Sequence, residues 1–273
     1  MFEATKPGLA KTSRGVVRIG LPGLLGTMVL LAACSGAQRM PTNGPQTAMA
    51  VLERAAAVAY PQHVQGTARM DAYVGKERRS GNLLLFLDQP GKAQVQALSP
   101  TLDLLALMST DGERFTSFER GGKQCLTGPA CPANLARLVP IALPASELVG
   151  VLLGRPPLLA SSQQTLHWDE ERGLYRVQLG DPAGDHEDVY IEPQTFRYAG
   201  AVWFAGKTRV GSVQYAGRQG ALPKVLRLKA SRPQTDLTLE WREPDTVEPI
   251  DAETFAVPCP AGMPVVELRC EEP

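Results

Sequence analysis

Of the residue types that carry chemistry, cysteine is the informative one here. The chain has five, Cys34, Cys125, Cys131, Cys259 and Cys270. A thiol can act as nucleophile, metal ligand, disulfide partner or point of lipid attachment. Zinc is a poor fit, because the last four come in pairs with five and ten intervening residues and no CxxC spacing. Histidine chemistry has little material: His63, His167 and His186 are isolated. Ser161-Ser162 precedes His167 without a G-x-S-x-G elbow, and each histidine reads as a surface or strand-edge residue. Asp181, Asp185, Glu187 and Asp188 gather around Gly184. They lack the alternating oxygen ligands and terminal glutamate of a calcium loop and read as a solvated turn. No Walker or dinucleotide fingerprint occurs. These residues predict no enzyme, no cofactor and no metal.

Cys34 stands apart because of what precedes it. Lys6, Lys11, Arg14 and Arg18 face a single acid, Glu3, over the first twenty residues, and an uncharged apolar run from Leu21 to Ala33 follows. That run is too short for a spanning helix, which needs about 20 residues, and it matches a secretory signal. Leu31-Ala32-Ala33-Cys34 resembles the lipobox of bacterial lipoproteins. The resemblance implies removal of a signal peptide over 1–33 and a membrane anchor through lipid, palmitate included, on Cys34. The alternative is an ordinary signal with Cys34 a bystander. Ser35, in place of an aspartate, implies the outer membrane with the protein facing the periplasm.

The remaining cysteines would meet oxidising conditions, so disulfides are expected. Three connectivities are possible. Proximity in sequence favours Cys125–Cys131 and Cys259–Cys270.

The 240 residues from Cys34 onward carry 24 basic and 27 acidic side chains, which excludes a basic nucleic-acid footprint. Residues 34–48 are small, polar and Pro/Gly-bearing and read as a flexible tether, leaving 49–273 as one domain. Residues 47–59 favour helix. Val64, Gly66, Ala68, Met70, Ala72 and Val74 then alternate with polar residues, the period of a half-buried strand. Further strands follow to residue 119, with Asp111-Gly112 as the strongest hairpin signal. Residues 132–138 and 145–153 read as a helical insert, and strand patterns resume over 164–242. Leu237, Leu239 and Trp241 give the cleanest alternation there. The expected fold is mainly β with an α lid: an open, unclosed antiparallel barrel of about 10–11 strands, an N-terminal helix and a helical insert.

This order resembles the LolA/LolB-like superfamily of lipoprotein carriers. The local support is Ala97–Ala106 with its Ser-Pro turn, the insert Leu135–Pro157 ending in Leu-Gly-Arg-Pro-Pro, and Ile250–Phe255. The resemblance implies a hydrophobic cavity for lipid or an acylated lipoprotein, with a periplasmic carrier as partner. It also implies an exposed membrane-facing leucine after the Ser-Pro turn. A gapless match puts Thr101 at that place and Leu102 one residue later, so Leu102 is the candidate. Met70, Phe86, Phe115, Phe118, Trp203, Phe204 and Trp241 lie on strand-like segments and either line such a cavity or fill a closed core. A lipid-free envelope scaffold on the same fold is the competing function.

Overall fold

A computed structural model describes residues 38–136, 142–231 and 234–270. Cys34, the leader and the first part of the tether lie outside them, as do residues 137–138 of the expected insert. The first six strands run in chain order: β1 (His63–Val74), β2 (Glu77–Asp88), β3 (Lys92–Leu98), β4 (Leu104–Thr110), β5 (Arg114–Glu119) and β6 (Cys125–Pro129). The insert follows as α2 (Pro132–Leu135) and α3 (Ala145–Leu152). Next come β7 (Gln164–Asp169), β8 (Leu174–Gly180), β9 (His186–Ile191), β10 (Tyr198–Ala205), β11 (Thr208–Gln219), β12 (Leu222–Ser231) and β13 (Gln234–Thr246), then a short β14 (Val265–Glu267). Helix α1 (Ala48–Ala56) precedes them all. It starts where Thr47 accepts a hydrogen bond from the Ala50 backbone N–H, satisfying one of the free N–H groups of the first turn.

All fourteen strands form one unclosed sheet, ordered β14-β6-β5-β4-β3-β2-β1-β13-β12-β11-β10-β9-β8-β7. The expected 10–11 strands fall short in part because β6, at five residues, and β14, at three, are too brief to show a period. The chain is two antiparallel meanders, joined where β1 pairs with β13 and Ala68 lies opposite Trp241. Gly66 sits at this seam, where a Cβ would lie 2.3 Å from the Glu243 carbonyl oxygen; only glycine permits so close a backbone approach.

Alternation assigns each side chain to a face. Val64, Ala68 and Ala72 of β1, Leu83, Leu85 and Leu87 of β2, and Leu237, Leu239 and Trp241 of β13 share the inner face and are buried. Val51 and Ala55 of α1 and Val149, Val151 and Leu152 of α3 pack onto it. The outer face is polar at the seam, where Arg78 holds Asp71 and Arg227 holds Asp236 in two-pronged pairs. A 310 Å³ cleft there is lined by such side chains, among them Arg69 and Glu240. No helix among the described residues is long and apolar enough to cross a membrane.

The cysteines pair crosswise, Cys125–Cys259 and Cys131–Cys270, not with their sequence neighbours. The reason lies in β14 and the segment before it. That carboxyl-terminal arm returns to the outer face of β3–β6, where β14 pairs in parallel with β6 and Gln94 donates to the Thr254 carbonyl. Phe255 is buried there. Cys125 alternates with the inward Leu126 and therefore points out, towards the arm.

Candidate functional site

The candidate site is the inner face beneath α1 and α3. Of the seven aromatic and methionine candidates, Phe115 and Trp241 are wholly buried on this face, and Met70 and Trp203 pack against the same cluster. Phe86, Phe118 and Phe204 lie on the opposite face. Phe86 pairs with the outward Gln65 and Gln94, and Phe118 pairs with Leu107. Phe204 stacks on His186 at 4.5 Å. The cause is strand parity: Trp203 pairs with the inward Glu187 and Phe204 with the outward His186.

Towards one end the inner face becomes polar. Tyr60 precedes β1, Tyr198 begins β10 and Tyr215 lies on β11, all three buried. Burial raises all three phenols; Tyr198 is pushed up to about 12, so they act as neutral hydrogen-bonding groups. Arg155 and Arg197 stand over the Tyr60 ring at 5.7 and 5.3 Å. Arg218 binds Glu192 at 2.8 Å.

Glu187 sits on the inner face of β9 with 0% of its surface exposed. It shares parity with Val189 and Ile191, so the expectation of a solvated turn fails for it. Asp188 and His186 are also buried, on the outer side, and only Asp181 and Asp185 belong to an exposed turn. The Glu187 Oε2 accepts the Leu159 backbone N–H at 2.7 Å, tying the segment after α3 to the sheet. The Trp203 indole approaches the carboxylate without completing a second bond. Burial raises the Glu187 carboxyl to about 7, against the favourable Leu159 bond.

Leu102 is 70% exposed at the tip of the β3–β4 turn. Its φ of 66° is a left-handed conformation that L-residues other than Asn, Asp and Gly seldom adopt. The turn is held by Ser99 Oγ accepting from Thr101 and Asp103 N–H groups, and by Thr101 Oγ1 donating to Asp103 at 2.7 Å. Thr101 is thus tied inside the turn while Leu102 points out of it. Leu102→Asn suits the left-handed backbone and should change stability by no more than about 0.5 kcal/mol in urea unfolding. A larger loss would mean that Leu102 packs on the fold.

No protein-family profile matches the chain, and no curated protein does. Among solved structures, a DUF1329 family protein from Desulfovibrio piger ATCC 29098 superposes with a TM-score of 0.51 at 12% identity, covering 75% of this chain and 94% of that one. The two share a fold. The LolA superfamily protein NE2245 from Nitrosomonas europaea aligns over 77% of this chain and 98% of its own, with a TM-score of 0.47 and 12% identity. At such identities the likeness is one of architecture, and function must be argued from the site.

The tyrosine–arginine end escaped sequence reasoning. Its members come from a loop, two strand ends and the segment after α3, and no local motif joins them. Sequence reasoning misassigns Glu187 to a solvated turn, although its parity with Val189 and Ile191 in the strand is a signal of its inward position.

Proposed function

We propose that this chain is a non-enzymatic envelope lipoprotein, attached through lipid on Cys34 to the outer membrane. Its half-barrel takes up a lipid or the acylated end of another lipoprotein. The reading is carried by one observation: the apolar inner face is covered by two short helices instead of by hydrogen-bonded strands. Displacing α1 breaks no sheet ladder. It exposes Val51, Ala55 and part of Leu52, at roughly 1.5–3 kcal/mol for each large side chain. An acyl chain of about 16 carbons recovers about 0.8 kcal/mol per buried CH₂, on the order of 12 kcal/mol in all. The exchange therefore favours the ligand. Leu102 offers an apolar tip that can enter a membrane or an acyl layer during transfer.

Native mass spectrometry of the full-length protein, released from membranes in mild detergent, tests this. About one acylated molecule should be retained per chain and should leave on lipid extraction. A protein that stays empty after incubation with acylated lipoprotein and with phospholipid overturns it.

A second reading, a lipid-free scaffold, is favoured by the complete burial of Val51, Met108 and Trp241 under the lid. A partner protein crosslinked in cells, with no lipid retained, would select it.

A further inference from the structure

We propose that the tyrosine–arginine end of the half-barrel binds a monoanionic phosphodiester, the headgroup chemistry of a phospholipid, through Arg155, Arg197 and Arg218 gathered around Tyr60. This deepens the lipid-binding reading and rests on it for the acyl chains.

Arg155 donates to Gln89 Oε1 at 2.9 Å and Arg197 to the Ala221 carbonyl at 2.8 Å, both neutral acceptors. Among the described residues, neither guanidinium forms an ion pair with a carboxylate. Two cations beside one phenol ring repel each other, and a nearby anion relieves that repulsion. Arg218 spends one nitrogen on Glu192, while its Nη1 is buried without a hydrogen-bond partner. The Tyr215 hydroxyl is likewise buried and unpartnered. Unsatisfied buried donors are uncommon and call for a cause; here both belong to one cluster.

A 270 Å³ cleft lies beside this cluster, lined by Arg155, Tyr198 and Glu147 of α3, with Arg197 and Arg218 outside its lining. With Arg218 offset by Glu192 and Glu147 beside Arg155, the two arginines free of carboxylate partners leave a small positive excess at this end, which suits a monoanion such as a phosphodiester. Planar guanidinium groups present paired donors suited to phosphate oxygens.

Position supplies an independent argument. Tyr60, Arg197 and Arg218 lie at the sheet end that also carries the β7–β8 turn. There the Gln38 N–H donates to the Glu170 carbonyl at 3.0 Å, and the Trp168 indole donates to the Gln38 carbonyl at 2.5 Å. Gln38 is therefore held at this turn and Met40 packs on the core, within the stretch 34–48 whose composition suggested a flexible tether. Only three residues lie between Cys34 and Gln38, a reach over four Cα–Cα steps of at most about 14 Å. An anchor on Cys34 keeps this end beside its own bilayer, where phospholipid headgroups are supplied. Leu102 is at the opposite end of the strands.

The test uses the full-length protein in neutral detergent and native mass spectrometry with phosphatidylglycerol and diacylglycerol of identical chains. Thermal shift with glycerophosphoglycerol, the headgroup without acyl chains, runs alongside. The wild type should retain phosphatidylglycerol over diacylglycerol by about tenfold, the scale of one charge-assisted hydrogen bond. Arg155→Gln with Arg197→Gln should abolish the preference but still retain both lipids. Arg155→Gln alone, at an exposed side chain, should lower it in the same direction, so the result does not depend on the double variant folding. Equal retention by the wild type overturns the headgroup site and leaves the acyl reading standing. Retention of neither lipid, with an arginine-dependent shift by glycerophosphoglycerol, supports the site for a free phosphodiester and overturns the acyl reading. No response to any of the three overturns both.

Discussion

Replacing all four paired cysteines by serine is expected to lower the unfolding free energy by about 8 kcal/mol, and replacing either pair alone by only about 3 kcal/mol. The asymmetry follows from crosswise pairing. Cys125–Cys259 spans 134 residues and Cys131–Cys270 spans 139. Closing one such loop in the unfolded chain removes entropy equivalent to about 5 kcal/mol. With one bridge in place, the second closes a remaining loop of only about 17 residues, equivalent to about 3 kcal/mol. Each bridge thus covers most of the other's loss, and the two are strongly non-additive. A domain is stable by about 5–15 kcal/mol, so single-pair variants should fold and the four-serine variant should be largely unfolded at 37 °C. Urea unfolding of the three variants at low temperature checks this. Losses of about 5 kcal/mol for each pair, adding to about 10, would show that the bridges act independently. Neighbour pairing, Cys125–Cys131 and Cys259–Cys270, would close two short loops, and peptide mapping under non-reducing conditions separates the two connectivities directly.

Glu187→Gln is expected to stabilise the protein relative to wild type by an amount that grows with pH. In the folded chain burial holds the Glu187 carboxyl at about 7, above the ordinary glutamate value of 4.5. The folded state therefore binds this proton more tightly than the unfolded state does. The stability it brings is fully present below pH 4.5, falls between 4.5 and 7, and is gone above 7. The loss across that window is about 3 kcal/mol. Glutamine keeps an oxygen for the Leu159 N–H and has no proton to lose, so its curve should lack this fall. The difference between variant and wild type should rise by about 3 kcal/mol from pH 4 to pH 8 in urea unfolding at matched ionic strength. Parallel curves would show that Glu187 titrates as an exposed acid. Because the carboxylate holds the segment after α3, hydrogen exchange at the Leu159 amide should also respond to pH in the wild type more than in the variant.

Much of the architecture was legible because it depends on local periodicity. The alanine-rich stretch 47–59 marks α1, which runs from Ala48 to Ala56. The alternation of Leu237, Leu239 and Trp241 marks the inward side of β13, where all three are buried. Pro and Gly around residue 154 mark the end of α3. The short β6 and β14 left no trace, since five and three residues do not establish a period. They form because Cys125 and Cys131 meet an arm that returns from more than 130 positions away. Phe86, Phe118 and Phe204 were grouped with the inward aromatics on residue type alone, and the parity of their strands places them outside.

The amino-acid sequence by itself determined the class of fold and the apolar faces of α1, β1 and β13. These are set by neighbours two to four residues apart, and such neighbours are present in the chain before it folds. Only the tertiary structure decided which cysteines pair, that β1 and β13 form the seam between the meanders, and that three arginines meet at Tyr60. Those contacts join residues far apart in the chain. They form when burying the inner face outweighs the entropy of closing long loops, and that balance belongs to the whole sheet and to no segment of it.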